Sequence, residues 1–321
     1  MASQNPRRES DGWYTDCSVD HPRRLKANPR PITRPRVPFR PVTSAQSTVY
    51  YDSDLARRPL ISEFQNFWRY RGLIRLLVTR DLTVRYKRSV LGVWWTILNP
   101  MLTIAVLWVV FSNIFGRFGV MEEPYVVYLT AGILISTYFS QGVIAAGSAI
   151  VNSRNILIKM YIPPEIFSLA TAVAAATHFV LSLLPLFIMV LVLGPGIPWT
   201  VILIPIPLVL LLMLITGAGL VIASAAVYFR DVLDISRVVV QLFNYLIPTF
   251  WTIDFVEGTA AEYVVKANPV YSFLVIFRWW VYGGPTPPAW TIGMMFGSAV
   301  LALIFGVYVF SRNWRRVVSR L

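Results

Sequence analysis

Cysteine, histidine and charge are all scarce in this chain. The single cysteine, Cys17, excludes an internal disulfide and any cysteine-built metal centre, and reads as an ordinary cytosolic thiol. His21 and His178 are the only histidines. Charged residues make up 14% of the sequence and hydrophobic residues 56%, where a soluble domain has about 25% charged and ~45–50% apolar. One soluble core cannot hide that much apolar surface, so most of the chain reads as solvated by lipid. Nucleotide signatures are missing too. There is no G-x-x-x-x-G-K-[ST], no G-x-G-x-x-G ahead of a helix, and no H-E-x-x-H. Asp52 and Asp54 form a D-S-D pair of the kind metal-dependent sugar transferases use, but it lies in a proline-rich tail. The first 59 residues contain no apolar core for a signal peptide, so the first long apolar run is expected to direct membrane insertion.

What is abundant is positive charge, a formal +13, and its placement argues against a nucleic-acid partner. Of 29 Lys and Arg, 18 precede residue 90 and most of the others sit between apolar runs. Residues 1–59 interleave Pro29, Pro31, Pro35, Pro38 and Pro41 with Arg30, Arg34, Arg36 and Arg40, a composition that builds no packed core. Such a tail is either a solvated extension or is drawn to anionic headgroups. Residues 60–90 read as an amphipathic interface helix with a break near Gly72 and a capping-box start at Ser62 and Gln65. Its basic face suits a membrane surface, a cytosolic partner, or both.

The expected fold is all-α and integral to the membrane, with six spans at 91–116, 124–147, 166–193, 199–227, 235–253 and 289–311 inside a permease-like unit, 91–321. Each approaches the ~20 residues needed to cross ~30 Å of hydrocarbon, the fifth only just. Asn99-Pro100 predicts a kink in the first span, and Gly194-Pro195-Gly196 a turn before the fourth. With the N-terminus inside, 26 basic residues are cytoplasmic and three are outside: Arg117, Lys266 and Arg278. The outer segments carry Glu122, Glu123, Asp254, Glu257 and Glu262, so both termini are expected in the cytoplasm of a bacterial plasma membrane. Segment 255–288 is apolar but broken by Lys266, Asn268-Pro269, Arg278 and Gly283-Gly284-Pro285. A seventh span would carry the Arg-rich C-terminus outside, so 255–288 reads as two short re-entrant helices hinged at Asn268-Pro269. The span interiors lack ionisable pairs, which disfavours a proton- or ion-coupled carrier. His178 reads first as a packing imidazole bonded to a neighbouring helix.

Four motifs then fall in a recognisable order. Arg80-Asp81-Leu82-Thr83-Val84-Arg85-Tyr86-Lys87-Arg88-Ser89-Val90-Leu91-Gly92, followed by Trp94-Trp95 and Leu98-Asn99-Pro100, resembles the entry to the first span of polysaccharide ABC exporter permeases, the ABC-2 type, Wzm- and TagG-like membrane subunits. The connection 152–165, with Arg154, Asn155, Lys159, Pro163 and Pro164, is similar to their coupling loop. Tyr228-Phe229-Arg230-Asp231 matches the Y-x-R-D after the fourth span, and Asn268-Pro269 with Arg278 matches the N-P…R of the outer gate. The resemblance covers 60–321. The long Pro/Arg tail departs from many members and is reminiscent of actinobacterial ones, some of which export lipid-linked galactan.

The resemblance implies a homodimer docked on two copies of a separate nucleotide-binding ATPase, a two-plus-two assembly. No cofactor is implied in this chain, since ATP and magnesium belong to the partner, and no catalytic or metal residue is implied either. The implied substrate is a polyprenyl-diphosphate-linked polysaccharide, galactan- or O-antigen-like. Aromatic walls suit a sliding sugar, and the candidates are Trp94, Trp95, Trp108, Phe111, Phe243, Tyr245, Phe250 and Trp251. Tyr271, Phe273, Trp279 and Trp280 join Asn268, Pro269 and Arg278 at the outer gate. The same aromatics also suit interfacial anchoring. Arg85, Lys87 and Arg88 at the inner mouth suit either a diphosphate or lipid headgroups. Three competing readings are an ABC-2 exporter of teichoic acid, an exporter of lipid or drug, and a membrane glycosyl- or acyltransferase. The transferase needs clustered acid groups, and the best cluster, Arg230, Asp231 and Asp234, reads as a helix-end salt network.

Overall fold

A computed structural model describes residues 68–87, 89–92, 94–115, 125–157, 159, 162–193, 196–283 and 286–318. The expectations for 1–59, including the D-S-D pair, lie outside the described residues, as does Arg88. Among the described residues every regular element is helical. The long helices are α1 (Arg71–Tyr86), α2 (Trp94–Phe115), α3 (Tyr125–Asn152), α4 (Glu165–Leu193), α5 (Pro205–Ala226), α6 (Asp231–Tyr245) and α9 (Ala289–Val318). Two shorter ones, α7 (Ala260–Ala267) and α8 (Pro269–Tyr282), lie between α6 and α9. Among the described residues, four segments are long and apolar enough to cross a membrane: Tyr125–Asn152, Glu165–Val192, Trp199–Ala226 and Ala289–Asn313. The chain is a multi-pass membrane protein.

α1 follows a turn at Tyr70, two residues before the expected break at Gly72. Its half-buried side, Leu73, Ile74, Leu77, Val78 and Leu82, belongs to a helix that packs on α4, so part of the apolar face is satisfied by protein. The link to α2 is a tight turn. Gly92 sits at φ +53, in the left-handed region, and its N–H donates to Ser89 Oγ at 3.1 Å. A side chain is strained at that φ, which explains a glycine there.

The fifth expected span differs from its forecast. α6 starts at Asp231 and ends at Tyr245, about 22 Å of helix at 1.5 Å per residue. Pro248 has no N–H and disfavours helical backbone at Ile247, so the chain turns where the forecast continued to 253. Asp231 and Asp234 lie in the first turn of α6, where carboxylates complement the helix dipole. In place of the expected network of Arg230, Asp231 and Asp234, Asp234 pairs with Arg237 one turn further along α6, where the i,i+3 spacing puts the two side chains on one face.

α3, α5 and α9 approach closely through small residues. A Cβ on Gly217 of α5 would lie 2.2 Å from the Ala302 carbonyl oxygen of α9. A Cβ on Gly306 of α9 would lie 2.2 Å from the Gly217 carbonyl oxygen. Gly219 meets Ala146 of α3 at 2.4 Å in the same sense. This is small-residue packing of the kind that joins helices in lipid.

Candidate functional site

Three regions hold the residues singled out from the sequence. The first is a cavity of about 690 Å³ between α1, α2, α3 and α4. Arg85 from the last turn of α1, Ser89, and Trp95, Asn99, Pro100 and Thr103 of α2 line one side. Thr137, Tyr138 and Gln141 of α3 and His178, Phe179 and Ser182 of α4 line the other. A smaller cavity shares Arg85 and Ser89 and adds Val84 and Lys87. Of the cations expected at the inner mouth, the structure therefore brings Arg85 beside Trp95 and His178, with Lys87 in the adjoining smaller cavity.

The second region is the pair of short helices α7 and α8, which break at Asn268-Pro269, where Asn268 is extended. Asn268 caps α8, since its Oδ1 accepts the Val270 N–H at 3.0 Å. Its Nδ2 donates to the Phe243 carbonyl of α6 at 2.9 Å. Pro269 takes the first helical position, where its missing N–H costs nothing. Arg278 is 7% exposed. Its Nη1 donates to the Pro248 carbonyl at 3.0 Å and its Nη2 to the Tyr128 carbonyl at 3.1 Å. The guanidinium carbon stands 3.4 Å from the centroid of the Tyr128 ring. The Tyr128 hydroxyl donates towards the Pro248 and Trp251 carbonyls at 3.1 and 2.7 Å. Both polar residues of the N-P…R motif thus bond the carbonyls at or just beyond the end of α6. Gly132 makes room, because a Cβ there would lie 2.8 Å from Arg278 Nη2.

All of α8 except Pro269, Val275 and Trp279 is buried within this chain, Phe273 completely. Tyr271 stacks on Trp290 with centroids 6.2 Å apart, and Trp279 and Trp280 meet at 6.3 Å. On α7, the half-buried Glu262 and Lys266 pair with each other, and Glu262 accepts the Gly258 N–H at 2.8 Å. The Lys266 hydrogen bond holds the Glu262 carboxyl below its usual range, helped by that N–H.

The third region joins α3 to α4. It is a single helical turn, Arg154–Leu157, with Arg154, Asn155 and Lys159 exposed. Pro163 is half-buried and Pro164 buried, and their carbonyls accept the Ile166 and Phe167 N–H groups at 3.2 and 3.0 Å.

The aromatic candidates do not share one wall of a single chain. Trp95 lines the polar cavity, while Phe243 lines an apolar groove with Phe139, Pro269 and Phe305. Trp94, Tyr245 and Phe250 are exposed, and Trp251 is half-buried. The side chains of Trp108 and Phe111 lie outside the described residues.

A sequence model of the ABC-2 type transporter family matches residues 72–282, more than half of the chain. The chain belongs to the ABC-2 type transporter family. It is similar to the O-antigen export system permease protein RfbA of Myxococcus xanthus, 27% identical over 231 residues, 72% of this chain and 88% of that protein. It is also similar to the protein of that name from Klebsiella pneumoniae, 21% identical over 242 residues, 75% of this chain and 91% of that one. The ABC-2 match begins inside α1 and ends on Tyr282, the last residue of α8, so it takes in all three regions. Membership in this family makes the chain a transport protein.

Gln141, Tyr138 and Gly132 escaped the sequence reading of this ABC-2 chain, and His178 entered it as packing. A signal was available. Asn99 and Thr103, Thr137 and Gln141, and His178 and Ser182 are polar pairs four residues apart on three successive helices, each pair on one helix face.

Proposed function

We propose that this chain is the membrane permease subunit of an ATP-driven exporter that carries a polyprenyl-diphosphate-linked polysaccharide, galactan- or O-antigen-like, from the cytoplasm to the outer face. The observation that carries the reading is similarity to two O-antigen export permeases along 72% and 75% of the chain. The order of the four motifs supports it. In this reading the membrane is crossed six times, by α2, α3, α4, the Trp199–Ala226 segment, α6 with its terminal bend, and α9. Both termini lie in the cytoplasm, residues 1–59 form a cytoplasmic tail and 60–90 an interface helix. The 255–288 hairpin dips in from outside as the gate.

Two such chains form a homodimer on two ATPase subunits. ATP-driven closure of those subunits pushes the turn Arg154–Leu157, and the stiff Pro163-Pro164 exit passes the push to α4. Arg154, Asn155 and Lys159 face the ATPase. Arg85, Lys87 and Arg88 draw the diphosphate to the inner mouth through charge-assisted hydrogen bonds. The polymer then passes along the dimer centre against aromatic rings and leaves past α7 and α8.

Co-expression with a cognate nucleotide-binding ATPase is expected to give a stable two-plus-two complex that hydrolyses ATP, with no hydrolysis by the purified chain alone. ATPase activity intrinsic to this chain would refute the assignment. Replacing Pro163 and Pro164 together by glycine frees two fixed φ angles. That variant is expected to insert, dimerise and bind the ATPase while hydrolysis no longer drives export. Wild-type export from it would remove the coupling role. Orientation has its own test in a Cys17→Ser background. Cysteines at Glu257 are expected to react with impermeant thiol reagents on intact cells, and cysteines at Lys159 or Asp234 only after lysis; the reverse pattern contradicts the topology.

A further inference from the structure

We propose that the cavity between α1, α2, α3 and α4 binds the glycosyl-phosphate head of the lipid-linked substrate, with Arg85 holding the phosphate and Tyr138, Gln141 and His178 facing the first sugar. This rests on the exporter reading and adds to it a site lined by a single subunit.

The lining carries the argument. It contains a cation, Arg85, and no Asp or Glu, so its charge suits an anion. Polar groups converge on it from three helices as pairs one turn apart: Asn99 with Thr103, Thr137 with Gln141, and His178 with Ser182. Thr103 and Ser182 each return their hydroxyl hydrogen to the carbonyl four residues back, at 2.9 Å in both cases. The amides of Asn99 and Gln141 carry both donors and acceptors, which matches the alternating hydroxyls of a hexose. Tyr138 is 4% exposed, lines the cavity, and its hydroxyl has no hydrogen-bond partner among the described residues. A buried hydroxyl left so is unfavourable, and a ligand atom relieves it. The Tyr138 ring stacks on Phe179 with centroids 5.0 Å apart, and with Trp95 supplies an apolar face for a sugar ring.

Position and size agree. Thr137, Gln141, His178 and Ser182 stand in the middle stretches of two 28-residue spans, where polar groups are rare unless used. The volume, 690 Å³, falls in the range of small-molecule sites, about 300–1,000 Å³. The neighbouring cavity at Lys87 shares Arg85 and Ser89 and gives the phosphate a basic approach along the end of α1.

The test uses the full-length chain in phosphatidylcholine nanodiscs and a short-chain prenyl diphosphate bearing one hexose. Controls are the prenyl diphosphate without sugar, the prenyl alcohol, free hexose 1-phosphate, and nanodiscs doped with phosphatidylglycerol. The hexosyl lipid is expected to bind tightest and the alcohol weakest, with hexose 1-phosphate competing and phosphatidylglycerol not. Gln141→Leu and Tyr138→Phe are expected to bring the hexosyl lipid down to the affinity of its sugar-free analogue. Arg85→Gln is expected to weaken both diphosphates roughly tenfold, about one charge-assisted hydrogen bond. Gel filtration checks that each variant stays folded, and Tyr138→Phe removes one oxygen only. Equal binding of the prenyl alcohol, displacement by phosphatidylglycerol, or wild-type affinity in Gln141→Leu and Tyr138→Phe overturns the site. Failure of the exporter reading has a separate signature: the probe binds and depends on these residues, but vesicles holding the chain and its ATPase do not move it.

Discussion

Arg278→Leu is expected to loosen the packing of α8 on α3 and the bend after α6, and, in the exporter reading, to abolish export. The wild-type guanidinium bonds two carbonyls from different elements, Tyr128 of α3 and Pro248 of the bend after α6, while sitting on the Tyr128 ring. Leucine removes both charge-assisted bonds, a loss of roughly 3 kcal/mol or more, and leaves part of the carbonyl surface dry. Arg278→Lys is not a rescue, because one ammonium cannot span two carbonyls as the planar fork does. The partner variant is Gly132→Val. It inserts a Cβ 2.8 Å from Arg278 Nη2 and 2.9 Å from Thr249 Cγ2, so it expels the same guanidinium without touching Arg278 itself. Both variants are expected to lower the thermal midpoint in detergent, to expose 253–259 to protease, and to stop export. Wild-type melting and export in Arg278→Leu would contradict a structural role for the Arg278 contacts.

The other large effect is expected at Gly217. Its Cα faces the backbone of α9 so closely that an added methyl would stand 2.2 Å from the Ala302 carbonyl oxygen, far inside van der Waals contact. Backbone cannot swing aside as a side chain can, so α5 and α9 must separate along their shared contact. The reciprocal change, Gly306→Ala, meets Gly217 in the same way. Overpacking typically costs about 1–3 kcal/mol, and a clash of backbone against backbone belongs at or above the upper end. Gly217→Ala and Gly306→Ala are expected to sharply reduce folded, monodisperse protein in membranes. Gly297→Ala on the same helix is the control, because nothing lies within 4 Å of its Cβ position. Alanine there favours helix by up to ~1 kcal/mol and is expected to leave yield unchanged or improved. Equal yields from Gly217→Ala and Gly297→Ala contradict the packing described.

The contrast between these sites explains what could be read in advance. Long apolar runs declare themselves because hydrocarbon thickness sets their length, and α3, α4, α5 and α9 lie where the runs do. The hinge at Asn268-Pro269 was legible because Asn caps and Pro starts helices by local chemistry alone. α6 was misjudged at its end: apolarity continues to Trp251, but Pro248 stops the helix, and only backbone geometry decides between them. The Gly217–Gly306 contact joins residues far apart in sequence, and a glycine in an apolar helix looks the same whether it faces lipid or backbone. Arg278 was read both as one of three outer cations and as part of the N-P…R motif, and neither reading foresees that two distant carbonyls and a tyrosine ring hold it buried. At the cavity, His178 was set aside because a lone imidazole carries little information. Its meaning comes from Gln141 and Arg85 across the space, and that juxtaposition exists only in the fold.

The most direct test of the account uses inverted membrane vesicles containing this chain and its ATPase, supplied with a lipid-linked polysaccharide on the cytoplasmic face. ATP-dependent transfer of the polymer into the vesicle lumen is expected, absent when this chain is omitted and absent with a non-hydrolysable nucleotide. Transfer that proceeds equally without this chain, or no transfer when both subunits and ATP are present, would contradict it.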